Sequence, residues 1–532
     1  MKINKFTSLF ATCLLMGLTA CSNDNVSDAD YSNSAKDKDL TGKTSFSITS
    51  EAKTRTSGVY NSGVDFYWTP SDNIWVNSGS TTSPTLTASS SNNITSTTAS
   101  AKFYFDGTYT AESYPVRYTG NANTSGNTVT IATSQNQDEA NNATQLGTVG
   151  DCGVGTATRQ TDGSYKFTLS HKASYITFMP YYSKEALAAS AVVTQINVTV
   201  ANGESLAGKF NFSDNGLGTA IGSSSSNSVT LTLNGTSSTT GFPIPTTATA
   251  SKNAAIMVVA PGTYSTFKVT YTLYDSVTRT NSTISYTYSG KTCTAGKNQK
   301  ISTDLGMATY TSRKADYYMW DAVSNYWDGH ANSQPLLNND STYYAISSGD
   351  PRWYNTAFTK DVQIKAINSC KDEPTFEGLT WYISAGSPQL DNKTLWVFAN
   401  HLYVGGIWLK KQSEISGFSS EVNYTGTNTW VSGKDIKFTV SNFGKPEASV
   451  RSSYFYLPAL GQYADGKLID LGVKGYYWAS TPNPVNDGDR SQPYGKVISA
   501  NCLRFATNET LNNVYVRNYY ERYVGMQVQK FE

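Results

Sequence analysis

The chain of 532 residues contains little that could carry enzyme chemistry or bind nucleic acid. Only 15% of its residues are charged and the formal net charge is +1, so no basic surface for a polyanion is indicated. The three histidines, His171, His330 and His401, form no HExxH or HxH pattern, and no GxSxG, P-loop or CxxC motif occurs. We therefore predict that the protein is not an enzyme and that it holds no metal and no cofactor.

Long hydrophobic runs are also scarce. The apolar run at residues 9–20 follows Lys2 and Lys5 and is too short to span a bilayer, which is typical of a signal peptide. No later segment approaches the roughly 20 continuous apolar residues of a transmembrane helix. Residues 1–20 are therefore predicted to be a signal peptide, and the protein is predicted to be exported.

Cysteine is infrequent as well. After the predicted signal peptide and its boundary, four cysteines remain: Cys152, Cys293, Cys370 and Cys502. An exported protein can form disulfides, and pairing within domains would give Cys152–Cys293 and Cys370–Cys502. Four unpaired, buried thiols fit the sequence equally well.

The end of the apolar run, LTAC at 18–21, resembles the bacterial lipobox. The resemblance implies cleavage before Cys21 and lipidation of its thiol. Residues 21–40 are polar and lack apolar periodicity, so we expect a flexible tether there. An acidic residue shortly after Cys21 resembles the export signals of Bacteroidetes surface lipoproteins. This resemblance implies a lipid-anchored, surface-exposed protein of the cell outer membrane.

The abundant residues are Ser, Thr, Asn, Gly and Tyr, the last with 36 copies. Residues 41–305 contain short runs in which apolar side chains alternate with Ser or Thr, as at 229–233, 267–273 and 284–288. Polar, turn-rich segments separate these runs. The pattern predicts a mostly β fold of antiparallel β-sandwiches. The best helical candidate of this half is residues 183–191.

An ordered series of motifs in this half resembles the fimbrillin-like (Mfa-like) family of Bacteroidetes surface lipoproteins. The motifs are FSI at 46–48, TRT at 54–56, FYW at 66–68, DNIWV at 72–76, YP at 114–115, VTI at 129–131 with Gln135 and Gln137, FTLSHKA at 167–173, LAG at 206–208, PG at 261–262 and TAGK at 294–297. The resemblance implies two consecutive transthyretin-like β-sandwich subdomains, 41–185 and 186–305, with the boundary between about residues 183 and 192.

The same resemblance implies assembly with other fimbrial subunits by strand complementation, and proteolytic processing after Arg55. An uncleaved, exposed Arg55 is the alternative. From the residues themselves, Trp68 and Trp75 are expected to fill the first sandwich core. His171 ends an alternating strand face and is expected to be a packed core residue.

After residue 305 the composition changes, and eight of the ten tryptophans lie beyond Ala315. This half resembles the C-terminal domain of many fimbrillin-like proteins, which is akin to the Fibrobacter succinogenes major paralogous domain and, more distantly, to the C-type-lectin-like fold. The motifs are DYYMWDA at 316–322, LTWY at 379–382, HLYVGGIW at 401–408, YFYLPALG at 454–461, GYYWASTP at 475–482, NCLRF at 501–505 and RYVGMQV at 522–528. The resemblance implies an α+β lectin-like domain over 306–532, in which residues 375–385 have helical spacing.

The calcium motifs of sugar-binding C-type lectins are not matched. EPT at 373–375 and QPY at 492–494 stand in place of EPN or QPD, and the WND motif does not occur. Asp487 and Asp489 form an acidic turn that we interpret as a solvated loop. Trp327, Trp353 and Trp430 lie in Asn-, Gly- and Asp-rich segments, where their rings could stack on a sugar or anchor a protein; core packing is the alternative for each.

These observations predict a surface-exposed lipoprotein that is a fimbrial subunit or a tip-type adhesin. It would attach through its C-terminal domain to a host or bacterial surface glycan or protein. Because another domain follows the fimbrillin-like half, a strand of that half is poorly placed for donation to a neighbour, which favours the tip. The alternative is a monomeric surface glycan-binding lipoprotein outside any fimbria.

Overall fold

A computed structural model describes the fold over most of the chain. The described residues are 40–48, 57–60, 64–121, 123–235, 241–311, 316–336, 339–357, 364–426, 435–483, 499–507 and 512–532. The predicted signal peptide, Cys21 and the tether up to residue 39 lie outside these ranges, as do Arg55, Trp430, Asp487 and Asp489. Within the described part the chain is mostly β, as predicted.

The first thirteen strands and one short helix precede residue 172. Their bounds are β1 Lys43–Ile48, β2 Ser57–Tyr60, β3 Val64–Tyr67, β4 Trp75–Asn77, β5 Leu86–Ala88, β6 Ser91–Asn92, β7 Lys102–Asp106, β8 Ser113–Tyr118, β9 Thr128–Ile131, β10 Ser134–Gln137, α1 Leu146–Val149, β11 Gly153–Arg159, β12 Tyr165–Phe167 and β13 Ser170–His171. Nine strands form one sheet in the order β5-β4-β8-β11-β12-β1-β7-β6, with β13 paired to β11.

The core of this first unit is aromatic. Phe46, Trp68 and Phe103 are fully buried in it, and the Trp68 ring meets the Phe103 ring edge-on at 5.1 Å. Trp75 is only half-buried. His171 is packed as expected: its side chain is 8% exposed, it stacks on Phe66 at 4.0 Å, and its Nδ1 lies 2.8 Å from Asp151 Oδ1.

The second unit contains ten further strands and one short helix. Their bounds are β14 Ser174–Tyr181, β15 Ala191–Val200, β16 Gly208–Ser213, β17 Gly216–Ala220, β18 Ser228–Leu233, β19 Phe242–Pro243, α2 Ala250–Asn253, β20 Ala255–Val259, β21 Gly262–Asp275, β22 Thr280–Cys293 and β23 Asn298–Asp304. Its sheets are β10-β18-β15-β21-β22 with β19 on β15, β20-β14-β23, and β17-β16-β9. The predicted alternation holds on β18, where Val229, Leu231 and Leu233 are buried.

The sheets do not divide at residues 183–192, where we expected the boundary. Strands β9, β10 and β14 precede that point, yet they pair with β16, β18 and both β20 and β23, respectively. The physical reason is that Val129 and Ile131 on β9 are fully buried in the second core, so residues 128–137 cannot be separated from it. The predicted helix at 183–191 was wrong: this segment consists of bends and a turn before β15.

Over its described ranges the C-terminal part has two larger sheets and one α-helix. Its elements are β24 Ala308–Thr309, β25 Tyr317–Tyr318, α3 Phe376–Ser384, β26 Gln389–Phe398, β27 His401–Lys410, β28 Ile436–Thr439, β29 Asn442–Phe443, β30 Tyr454–Pro458, β31 Gln462–Ala464, β32 Lys467–Ile469, β33 Lys474–Pro482, β34 Ser499–Ala506, β35 Asn513–Glu521 and β36 Met526–Gln527. The sheets run β24-β26-β27-β30, with β29 on β26, and β25-β36-β33-β34-β35-β28; β31 and β32 form a hairpin.

Helix α3 confirms the helical spacing seen at 375–385. Thr375 caps its start, because the Thr375 Oγ1 accepts a hydrogen bond of 3.1 Å from the Gly378 N–H. Leu379 and Ile383, one turn apart, are fully buried with residues of both larger sheets. The helix therefore covers a core that those two sheets share.

The hairpin β26–β27 docks against the second sandwich. The Asp275 carboxylate at the end of β21 is fully buried and accepts hydrogen bonds from His401 Nδ1 at 3.0 Å and from the Leu402 N–H at 3.1 Å. Leu395 and Val397 join the same hydrophobic cluster as the second sandwich core. This polar and apolar junction fixes the C-terminal domain to the sandwich.

Candidate functional sites

The N-terminal strand β1 lies in the middle of the first sheet and is paired along both edges. It runs antiparallel to β7, where Phe46 stands opposite Phe103, and parallel to β12, where Phe46 stands opposite Tyr165. The Phe46 ring stacks on the Tyr165 ring at 4.5 Å and is fully buried. Ile48 is 6% exposed. Strand β1 therefore fills the gap between β7 and β12 in the sheet, and its Phe46 and Ile48 side chains fill part of the core. We call β1 the plug and the space that it occupies the slot.

The segment that follows β1 contains Arg55, so its position determines which strand a cleavage after Arg55 would separate from the rest of the chain. Arg55 lies outside the described residues, between the end of β1 at Ile48 and the start of β2 at Ser57. The hairpin β2–β3 pairs only within itself and does not hold β1. A cut after Arg55 would therefore break the chain between the plug and the rest of the protein. Loss of β1 would uncover the edges of β7 and β12 together with an aromatic slot.

The last described residues are bound into the C-terminal domain. Strand β36 pairs with both β25 and β33. Phe531 is 6% exposed and packs against Tyr382, with ring centroids 5.2 Å apart. The Glu532 backbone oxygen accepts a hydrogen bond of 2.7 Å from the Gln412 N–H. Residues 526–532 are therefore held by the domain and are not free to pair with another molecule.

The three tryptophans suggested as ligand-binding rings have different positions. Trp327 is 1% exposed and packs against Tyr463, so it stabilises the core and presents no ring to the surface; the core-packing alternative holds there. Trp353 is half-buried and lies beside Tyr354, with ring centroids 4.8 Å apart. Trp430 lies outside the described residues.

An open surface pocket of about 560 Å³ lies between the loops that contain residues 328–330 and 347–352. These loops directly follow Trp327 and directly precede Trp353. The buried Arg352 organises the pocket: its guanidinium binds both carboxylate oxygens of Asp350, with the shortest contact 2.6 Å, and its Nη1 donates to the Tyr343 carbonyl at 2.6 Å. The hydrogen bonds from Arg352 lower the pKa of Asp350, although partial burial acts in the opposite direction.

Sequence reasoning missed the residues that line this pocket. Polar residues such as Asp328, Asp350 and Arg352 occur in loops without periodicity, and no motif marks them. In the sequence, only the neighbouring Trp327 and Trp353 pointed to this region, and they were chosen because their own rings could contact a ligand.

The remaining reactive side chains are poorly suited to catalysis. Cys152, Cys293, Cys370 and Cys502 are all buried free thiols, which is the second of the two alternatives raised by the sequence. Burial raises the pKa of every one of them, to about 11 for Cys293, so the reactive thiolate is rare at neutral pH. Among the described residues, no group of three or more His, Cys, Asp or Glu side chains is placed to hold a metal ion.

In the described ranges, no helix has the length and apolar character needed to cross a membrane. No family model matches the chain, and no curated protein matches it. Among solved structures, a candidate cell adhesion protein from Bacteroides uniformis is 12% identical, with a TM-score of 0.29, and the match covers 49% of this chain and 93% of that one.

Two further solved structures are similar over different lengths of the chain. A fimbrial assembly protein from Parabacteroides distasonis is 10% identical, with a TM-score of 0.24, over 49% of this chain and 90% of its own. A fimbrial protein from Bacteroides ovatus is 11% identical, with a TM-score of 0.23, over 91% of this chain and 99% of its own. These identities and TM-scores are too low to transfer any property to this chain.

Proposed function

We propose that the protein is a fimbrillin-like surface lipoprotein that serves as a tip-type adhesin of a fimbria. The observation that carries the proposal is strand β1, a plug paired on both edges and separated from the next strand by the segment that contains Arg55. The residues support a structural and adhesive role and not an enzymatic one.

In this proposal the protein is anchored in the outer membrane before assembly. Residues 1–20 direct export, and Cys21 carries the lipid. Residues 21–40 then act as a tether that holds the first sandwich away from the membrane surface. The C-terminal domain, at the opposite end of the chain from the lipid, carries out attachment.

Assembly begins with cleavage after Arg55, which releases β1. The freed edges of β7 and β12 and the slot left by Phe46 form an acceptor for a strand from a neighbouring subunit. Backbone hydrogen bonds would give the complex its affinity, and the aromatic slot would give it specificity. Burial of two apolar side chains of the size of Phe46 and Ile48 is worth roughly 3–6 kcal/mol, so an empty slot favours a partner strongly.

The tip position follows from the other end of the protein. A subunit in the middle of a fimbria must accept one strand and donate another. Residues 526–532 are held by Tyr382 and Gln412, and the last strand of the second sandwich, β23, is paired with β14. These contacts support a subunit that accepts a strand at the position of β1 while these two segments stay within the protein.

The test compares two forms of the protein with one peptide. The protein beginning at Thr56 should bind a peptide that corresponds to the terminal strand of a fimbrial subunit, whereas the mature protein beginning at Cys21 should not. The Arg55→Ala variant, treated with the processing protease, should remain as unreceptive as the mature protein. Equal binding by the long and short forms, or binding by neither, would contradict strand acceptance.

The pocket between residues 328–330 and 347–352 favours a second function, a monomeric surface glycan-binding lipoprotein whose sandwiches are a spacer. Assembly state separates the two functions. An adhesin at a fimbrial tip should appear at filament ends in immunogold electron microscopy and in high-mass fractions of cell extracts. A monomeric lipoprotein should appear only on the cell body.

A further inference from the structure

We propose that the pocket between residues 328–330 and 347–352 binds a neutral pyranose unit of a surface polysaccharide. The proposal rests on the proposed function in one respect, that the C-terminal domain is the part that attaches. The volume of the pocket, about 560 Å³, lies within the range of small-ligand sites, roughly 300–1,000 Å³.

The lining of the pocket suits a hydroxylated ligand. Asp328, His330 and Ser347 line it, and within the described chain their side chains have no hydrogen-bond partner from the protein. A carboxylate, an imidazole and a hydroxyl together offer both acceptors and donors, as the hydroxyl groups of a sugar require. Pro351 is the one apolar side chain among the lining residues, which argues against a lipid or another apolar ligand.

The charge of the pocket selects against anionic sugars. The positive charge of Arg352 is matched by Asp350, which its guanidinium binds through three nitrogen–oxygen contacts of 3.2 Å or less. Among the described residues the Asp328 carboxylate forms no ion pair, so it adds to the pocket a negative charge that Arg352 does not neutralise. A uronic acid, a sialic acid or a sulfated sugar would meet this charge at close range, whereas a neutral sugar would not.

An aromatic ring stands beside the polar lining. The Tyr343 side chain is 56% exposed and stacks on His330, with centroids 5.3 Å apart and planes 20° apart. Its outer face is flat and apolar, and an amphipathic ring of this kind can cover the C–H face of a pyranose. Arg352 holds the main chain at Tyr343 through its carbonyl, and the ring itself rests against His330.

Backbone hydrogen bonds also hold the two loops of the pocket in place without a ligand. The His330 N–H donates to the Trp327 carbonyl at 2.8 Å, and the Trp353 N–H donates to the Asp350 carbonyl at 2.9 Å. The Ser324 N–H binds the Pro351 carbonyl at 3.0 Å, which joins the two loops. A ligand would therefore bind with little loss of loop entropy.

The experiment measures binding of the purified mature protein to immobilised dextran, mannan and galactomannan as neutral probes, and to hyaluronate and heparin as acidic ones. Three variants change the pocket. Asp328→Asn should weaken neutral binding about 10-fold, and Tyr343→Ala should weaken it about 3- to 10-fold. Gly349→Phe should abolish it by filling the pocket. An added Cβ at Gly349 meets no atom within 4 Å, so this variant should fold normally.

Two variants of the same domain serve as controls. Tyr424→Ala removes another ring that is 48% exposed, and Asp372→Asn removes another exposed carboxylate. Both should bind as the unaltered protein does, and all five variants should unfold at the same denaturant concentration. The proposal is overturned if Gly349→Phe still binds, if none of the neutral probes binds, or if the acidic probes bind as well as the neutral ones.

The outcome for the pocket is separable from that for the fimbria. The pocket variants should be found at filament ends as often as the unaltered protein in immunogold microscopy, because they do not touch β1. Absence of every form from filaments would contradict the proposed tip role and leave the sugar result standing. Attachment that survives enzymatic removal of glycans from the target surface would show a protein ligand and overturn the sugar pocket.

Discussion

At the scale of single residues, two buried glutamine side chains make the hydrogen bonds that a neighbouring strand would otherwise make to strand β20. The Gln135 side chain accepts a hydrogen bond of 3.0 Å from the Val258 N–H and donates one of 2.8 Å to the Val258 carbonyl. Gln137 does the same for β20 two residues away, with Ile256 N–H and the Ala254 carbonyl as partners. Strand β20 thus has β14 on one edge and three side-chain amides on the other, since the Gln145 Nε2 also donates to the Ile256 carbonyl at 3.1 Å.

We expect Gln135→Ala to lower the free energy of unfolding by about 2–5 kcal/mol. The change leaves the Val258 N–H and carbonyl unpaired in the core, and each lost partner costs roughly 1–3 kcal/mol. Urea unfolding of the mature protein, followed by fluorescence, measures the difference. Gln160→Ala is the control, because the Gln160 amide is near the surface and binds only the Thr158 carbonyl. Equal unfolding of the two variants would show that the Gln135 amide is dispensable.

The alternating strands and the buried Trp68 could be predicted from the residues, because burial of one strand face imposes a period of two. The role of Gln135 could not, since Val258 lies 123 residues away along the chain and the contact depends on how two sheets meet. The pocket was hidden for a similar reason. Asp328 and Arg352 become neighbours only through loop geometry, which leaves no pattern along the chain.

At the scale of elements, the FSI motif at 46–48 lies in strand β1, but the sequence did not indicate the neighbours of that strand. Parallel pairing to β12 and antiparallel pairing to β7 follow from the three-dimensional path of the chain. The same limit explains why the sheets do not divide at residues 183–192. Residues 128–137 lie in the range predicted for the first sandwich but pair with strands of the second, because pairing between distant strands is not encoded in local composition.

The docking of the β26–β27 hairpin should depend on Asp275 and on pH. Burial raises the pKa of this carboxyl, but hydrogen bonds from Leu402, Ser190 and His401 together bring it below its ordinary value. A carboxyl with a lowered native pKa stabilises the fold above its unfolded pKa of about 3.9. That contribution is lost as the pH falls through the native value.

We therefore expect Asp275→Asn to destabilise the protein at pH 7 by about 1–3 kcal/mol, with the difference shrinking at pH values below about 4. Thermal unfolding of both proteins between pH 3 and pH 7 measures this. Asp162→Asn is the comparison, because Asp162 lies in an exposed turn and binds only Ser164. A difference between the Asp275 proteins that does not change with pH would contradict the role of the charge.

At the scale of the whole molecule, the proposed anchor at Cys21 and the proposed ligand pocket belong to different parts of the chain, since the pocket is formed by residues 328–352 of the C-terminal domain. We expect Cys21→Ala to abolish lipid labelling and to release the protein from the membrane fraction, since the polar tether offers no other membrane affinity. Cys13→Ala is the control, because Cys13 lies in the predicted signal peptide and is removed with it. Membrane fractionation and radiolabelled palmitate incorporation measure both. An unchanged membrane fraction for Cys21→Ala would contradict the lipoprotein prediction.

The C-terminal domain has its own core, and residues that precede its first aromatic motif also pack against it. Strand β24 pairs with β26, the Tyr310 N–H donates to the Val397 carbonyl at 2.8 Å, and the Tyr310 ring meets the Trp396 ring at 5.8 Å. Residues 308–310 therefore pack with this domain, although they precede the first aromatic motif at 316. Separation from the sandwich would also expose Leu395, which is buried in the whole chain.

We expect a fragment of residues 306–532 to unfold cooperatively, because helix α3 and two sheets enclose its own core. A fragment of residues 316–532 should also fold but be less stable by about 1–3 kcal/mol, since it lacks β24 and the Tyr310 contacts. Guanidinium unfolding followed by tryptophan fluorescence compares the two. Leu395→Thr in the longer fragment is a further control. If the exposed junction surface makes the fragment self-associate, this change should reduce that self-association. No cooperative transition in either fragment would mean that this domain folds only on the sandwich that carries Asp275.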